Sequence, residues 1–179
     1  MKALRKIFWL VILAAILIPV SKLIGSNFGS QSARSEVERD AISAGAPTGF
    51  FNVKWLSSIE DVRRSHPNAL LRSTLKSNDT LSEREKLYGR DIVISYVFQN
   101  DNLIMFIINF AESGSVEGFQ KTQAKLVSEY GPMPSAEQKK DCKLSSSKTQ
   151  GRFALEHCLR EYTTENKIVE QIIAYRTNG

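Results

Sequence analysis

The chain has 179 residues, carries 24 Lys and Arg against 19 Asp and Glu for a formal charge of +5, and holds two histidines and two cysteines. Four of the basic residues, Lys2, Arg5, Lys6 and Lys22, lie in the first 25 positions; the remainder, 20 basic against 19 acidic, is nearly balanced. The basicity therefore belongs to the N-terminus, and a nucleic-acid-binding reading loses its main support.

Ile7 to Val20 is an unbroken apolar run behind Lys2, Arg5 and Lys6. Positive charge on the near side favours retention in the cytoplasm and delivery of the downstream chain across the membrane. The run is short for a span of about 17–25 residues. Leu23 and Ile24 lengthen it past Ser21 and Lys22, whose stem can reach the headgroups. Cuts after Gly25, Ser26 or Ala33 place Leu23, Ile24 or Gln31 at the third position, none of which gives a small-x-small site. Residues 1–25 thus read as a retained single-pass anchor, with a cleaved signal peptide as the alternative. The expected location is a bacterial inner membrane with the C-terminal part in the periplasm, or, after cleavage, the periplasm or outside. No cysteine lies near the segment, which excludes lipoprotein processing.

Residues 26–47 are polar, without sustained apolar period, and read as a tether with at most a loose helical turn or two over Ser35–Ile42. The folded domain is expected over residues 48–179. Gly49 to Trp55 alternates Phe51, Val53 and Trp55 and predicts a first strand. Ser57 or Ser58 caps a short helix through Glu60 or Asp61, with Ile59 and Val62 inward and Pro67 as its stop. Ala69 to Lys76 reads as a strand and the following Ser-Asn-Asp-Thr-Leu-Ser-Glu-Arg-Glu-Lys as a polar connection. Asp91–Gln99 and Leu103–Phe110 flank Asn100-Asp101-Asn102 and form the clearest hairpin. Ser115 caps a helix with Val116, Phe119, Leu126, Val127 and Tyr130 at helical spacing, closed by Gly131-Pro132. Cys142–Ser147, Arg152–Thr163 and Ile168–Arg176 complete the strands.

This order predicts an α+β fold: an antiparallel sheet with two helices packed on one face, each helix followed by a β-meander, preceded by the N-terminal hydrophobic helix. A hairpin turning at Gln150-Gly151 puts Cys142 opposite Cys158, and an oxidising compartment favours their disulfide. Trp55-Leu-Ser-Ser-Ile-Glu-Asp-Val62 with Pro67, and more loosely Tyr130-Gly-Pro132, resembles the helix-opening pattern of small exported SmpA/OmlA-like and beta-lactamase-inhibitor-protein-like domains. The resemblance implies non-catalytic envelope modules that bind other proteins. Two departures are the missing lipoprotein cysteine and Leu56, where the family pattern has glycine.

Residue chemistry adds little to that implication. His157 and Cys158 are adjacent on a strand and point to opposite faces, so neither a Cys-His nucleophile nor a zinc site with Cys142 and His66 follows. Ser145-Ser-Ser-Lys148 lacks the helix that a Ser-x-x-Lys nucleophile needs. Glu83, Glu85 and Asp91 alternate with Arg84, Lys86 and Arg90 and read as a solvated loop. No catalytic, cofactor-binding or metal-binding residue is assigned. Phe50, Trp55 and Tyr88 are candidates for a partner surface, or else they complete the core. The expected role is a membrane-attached envelope protein binding a protein partner; a binder of a small ligand or cell-wall polymer, or an enzyme without a recognisable motif, are the alternatives.

Overall fold

Two-residue turns organise the sheet. Tyr88 and Gly89 (φ 53 and 80) join one pair of strands, and Asn100 and Asp101 (φ 51 and 60) join the next. Positive φ at both central residues matches the right-handed twist of the flanking strands and fixes register. In the computed structural model, which describes residues 32–43, 46–75, 78–134, 142–162 and 167–176, the chain divides into two units, 1–37 and 38–179. The anchor and the start of the tether lie outside the described residues. Among those described, no helix is long and apolar enough to cross a membrane.

The elements are α1 (32–43), β1 (Gly49–Phe50), β2 (Val53–Lys54), α2 (Ile59–Ser65), β3 (Leu70–Leu75), β4 (Asn78–Leu87), β5 (Arg90–Gln99), β6 (Asn102–Phe110), α3 (Val116–Tyr130), β7 (Cys142–Gln150), β8 (Phe153–Tyr162) and β9 (Lys167–Arg176). The fold is α+β, with three helices and a seven-stranded antiparallel sheet in the order β3-β4-β5-β6-β9-β8-β7. Two meanders meet where β6 pairs with β9.

The capping signals work as read. Ser58 Oγ accepts from Asp61 N–H while the Asp61 carboxylate accepts from Ser58 N–H, and Ser115 Oγ accepts from Gly118 N–H. Alternation along the strands assigns the sheet two faces. Leu81, Ile94, Tyr96, Phe106, Ile108, Leu155, Ile172 and Ala174 lie together on one face and are nearly inaccessible. Against that face sit Phe119 of α3, stacked on His157 of β8, and His66, the C-cap of α2, which bonds to Tyr96 of β5. The opposite residues, among them Val93, Val97, Met105, Ile107 and Ile173, are half-buried.

Three local expectations need correction. Gly49–Trp55 is no single strand: Phe51 and Asn52 (φ 52 and 62) turn it back on itself as the small β1–β2 hairpin. Gly49 is obligatory there, since a Cβ would lie 1.9 Å from Val53 O. The polar stretch after Leu75 is not a connection but β4, a ten-residue strand. Its one fully buried aliphatic side chain, Leu81, leaves too weak an apolar alternation to announce it. Finally, the β7–β8 turn is Gly151-Arg152, with Gln150 opposite Phe153. That register alone would point Cys142 away from Cys158. An irregularity between Cys142 and Leu144 shifts Cys142 opposite Arg160, on the same face as Cys158. The Cys142–Cys158 disulfide forms across this diagonal, with Cα atoms 5.7 Å apart.

Candidate functional site

Of the three aromatics considered for a partner surface, two are core. Trp55 is buried, donates its indole N–H to Pro47 O at 2.7 Å and packs edge-on against Phe106. Phe50 is buried between the Phe106 and Tyr130 rings. Tyr88 is half-buried in the β4–β5 turn, its hydroxyl donating to Glu129 at 2.7 Å, and burial followed by that carboxylate pushes its pKa up. Phe50 and Trp55 offer no free aromatic face, whereas Tyr88 lines an open hollow beside α3 with Arg90 and Lys121.

The side of the sheet that no described helix covers provides a surface instead. A groove of about 1220 Å³ runs over one end of the strands, lined by Arg84 and Lys86 of β4, Val93 of β5, Asn109 of β6, Tyr162 of β8 and Val169 of β9. Register pairs Arg84 with Val93, Val93 with Asn109, and Tyr162 with Lys167, so these side chains share the uncovered face. The Lys86–Asp91 ion pair lies at its margin. Tyr162, the last residue of β8, is 37% exposed.

On the covered face lie two His–Glu pairs that sequence reasoning missed, because each joins residues far apart in the chain. His157 and Glu170 are both fully buried, with Nε2 3.0 Å from the carboxylate. Arg90 reaches the other Glu170 oxygen at 2.8 Å, Glu112 at 2.5 Å and Thr122 Oγ1 at 2.8 Å, and its guanidinium lies 3.9 Å over the Phe110 ring. Gly118 is bare because a Cβ would crowd Arg90 and Glu170 at 3.3 Å. The Gln123 amide stands 2.9 Å from His157 Nδ1 and 2.6 Å from Ser146 Oγ. Its Oε1 accepts from the Ser146 hydroxyl and faces His157 Nδ1, so the amide fixes the imidazole against Glu170. Burial pulls the His157 pKa down, against the partial opposition of Glu170. For Glu170, burial opposes ionisation, but His157, Arg90 and Thr122 outweigh it and hold the carboxyl below its usual range. Burial works against the Arg90 charge too, and Glu170 and Glu112 overcome it.

The second pair is His66 with Glu83 of β4. Nδ1 lies 2.6 Å from Glu83 Oε1, which also accepts from the Tyr96 hydroxyl at 2.7 Å. His66 Nε2–H donates to Phe51 O at 2.9 Å. Glu83 and Glu85 are thus strand residues on the covered face, not members of a solvated loop; Glu83 is buried and Glu85 stands at the exposed margin. Burial and then the Glu83 carboxylate push the Tyr96 pKa well up.

Comparison with protein-family models, with curated proteins and with solved structures finds no match. The fold and the geometry of these sites carry the functional reading.

Proposed function

We propose that this is a membrane-attached envelope protein whose α+β domain binds a protein partner on the uncovered face of its sheet and has no catalytic role. The observation that carries the reading is the groove over Val93, Asn109 and Val169, flanked by Arg84, Lys86 and Tyr162. Its volume of about 1220 Å³ exceeds the range of about 300–1,000 Å³ usual for small-molecule sites, which favours a polypeptide over a metabolite. A wall of apolar strand residues, one exposed tyrosine and three basic side chains, Arg84, Lys86 and Lys167, against the two acidic ones, Glu85 and Asp91, suits a mainly apolar polypeptide segment that also carries acidic residues. The export reading rests on the apolar segment Ile7–Val20 behind Lys2, Arg5 and Lys6, and is supported by a disulfide that needs an oxidising compartment. The likeness of Trp55–Val62 to SmpA/OmlA-like domains points the same way.

The test is site-specific photo-crosslinking of the full chain in intact cells. A crosslinking residue at Val93 or Tyr162 is expected to give a discrete adduct, and one at Glu60 on α2 none. Equal labelling from all three positions, or no adduct from the groove positions, would sink the proposal. Retention on isolated cell-wall polymer that is lost in Tyr162→Ala would move the assignment to the polymer-binding alternative.

A further inference from the structure

His66, Glu83 and Glu85 come from a helix C-cap and from alternate positions of one strand, and one ligand atom from each lies within 4.8 Å of the others. The orientation of the imidazole makes this more than proximity. Phe51, held at positive φ in the β1–β2 turn, turns its carbonyl to His66, so Nε2 must carry the hydrogen. Nδ1 then presents a lone pair to Glu83 Oε1 at 2.6 Å, and two lone pairs at that distance repel unless an electropositive centre lies between them. At 2.6 Å a proton serves, and a cation serves once the two atoms spread to about 3.3 Å.

Two further features fit a cation. Each inner ligand already has an outer partner: the Phe51 carbonyl fixes the imidazole, and the Tyr96 hydroxyl donates to the Glu83 carboxylate. Metal-binding histidines and carboxylates are oriented in this way. The charge balance also fits. Among the described residues neither Glu83 nor Glu85 forms an ion pair with a Lys or Arg, whereas Glu170 has Arg90. Arg84 and Lys86 alternate onto the other face of β4. Two carboxylates beside one imidazole leave an excess of negative charge at a partly buried place.

We propose that His66 Nδ1, Glu83 and Glu85 bind a divalent transition metal, with zinc as the best match to one imidazole and two carboxylates. Tetrahedral zinc with ligand bonds of about 2.0–2.1 Å sets its ligand atoms roughly 3.3 Å apart. Nδ1 and Glu83 Oε1 therefore spread slightly on binding, and the exposed Glu85 swings in to close the third position. Solvent takes the fourth. The role is a structural clasp between the C-terminus of α2 and β4, independent of the groove on the other face of the sheet.

The experiment uses the untagged full chain in detergent, stripped with a chelator and titrated with zinc chloride by calorimetry, with Co²⁺ as an optical probe. One zinc per chain is expected, together with visible Co²⁺ absorption and a higher melting temperature. Glu85→Gln, at an exposed position, should fold like the parent and bind at least tenfold more weakly; Glu83→Gln should do the same if its melting curve shows it folded. Tyr96→Phe, which leaves every ligand in place, is expected to weaken zinc by about tenfold. Absence of one-to-one uptake, or uptake that survives Glu85→Gln within a few-fold, would overturn the site and leave a proton between His66 and Glu83.

Discussion

The two His–Glu pairs on the covered face of the sheet have the same chemistry and opposite surroundings. His157–Glu170 is sealed under Phe119, with both imidazole nitrogens hydrogen-bonded and Arg90 ion-paired to the second Glu170 oxygen. His66–Glu83 lies at the margin, with a second carboxylate, Glu85, and among the described residues no guanidinium paired to it. A buried carboxylate with an arginine partner is a structural element: its energy is spent on holding β5, β9 and α3 together. A pair that keeps an open side and an uncompensated charge can still take a ligand.

That contrast is easiest to break at Glu170. Removing it leaves Arg90 with only the exposed Glu112 and takes the carboxylate from the buried His157, so Glu170→Gln is expected to cost about 3–5 kcal/mol, measured as a shift in the urea midpoint. A loss below about 1 kcal/mol would mean that the network is dispensable. Phe119→Ala, which uncovers His157 and leaves a cavity under α3, should cost about 3 kcal/mol. Tyr96→Phe removes one hydroxyl donor from a charged acceptor and should cost about 1.5–3 kcal/mol in the metal-free chain. Glu85→Gln should change metal-free stability by less than about 0.5 kcal/mol, because the residue is exposed. A large stability loss there would make Glu85 a folding residue and blur the distinction.

A pH titration sharpens the same comparison. The folded value of His157 lies below its ordinary 6.5, so below about that pH the unfolded chain takes up a proton that the folded chain refuses. The unfolded state binds more protons there, so stability rises with pH across that window and falls on acidification. Glu170, also depressed, adds a second loss as the pH drops below its ordinary 4.5. His157→Gln should flatten the urea midpoint between about pH 5 and 7 relative to the parent, and an unchanged slope would remove His157 as its source.

Much of the frame was legible along the chain because its signals are local. Ser58 with Asp61, Ser115 with Gly118, and Asn100-Asp101 between two apolar runs each act over four residues or fewer. The alternation in Asp91–Phe110 survives because those strands are central and buried on one side. Failure came where that alternation thins. Along β4 only Leu81 is a fully buried aliphatic, and Glu83 occupies an inward position that a polar reading assigns to solvent. Phe50 and Trp55 looked available for a partner because β1 and β2 are too short to show which face they cover.

Sequence by itself determined the apolar segment behind its basic cluster, the β5–β6 hairpin, the two capped helices and, with only two cysteines in the chain, which residues pair, since periodicity, turn chemistry and composition are all written in neighbouring residues. Tertiary structure alone decided the rest. A fourth strand in the first meander paired β4 with β5, one irregularity in β7 turned Cys142 to the face of Cys158, and the folding back of α2 and α3 onto a single face placed His66 beside Glu83 and His157 beside Glu170. Contacts of that kind depend on which strand faces lie under which helices, and the order of residues in the chain does not carry that information.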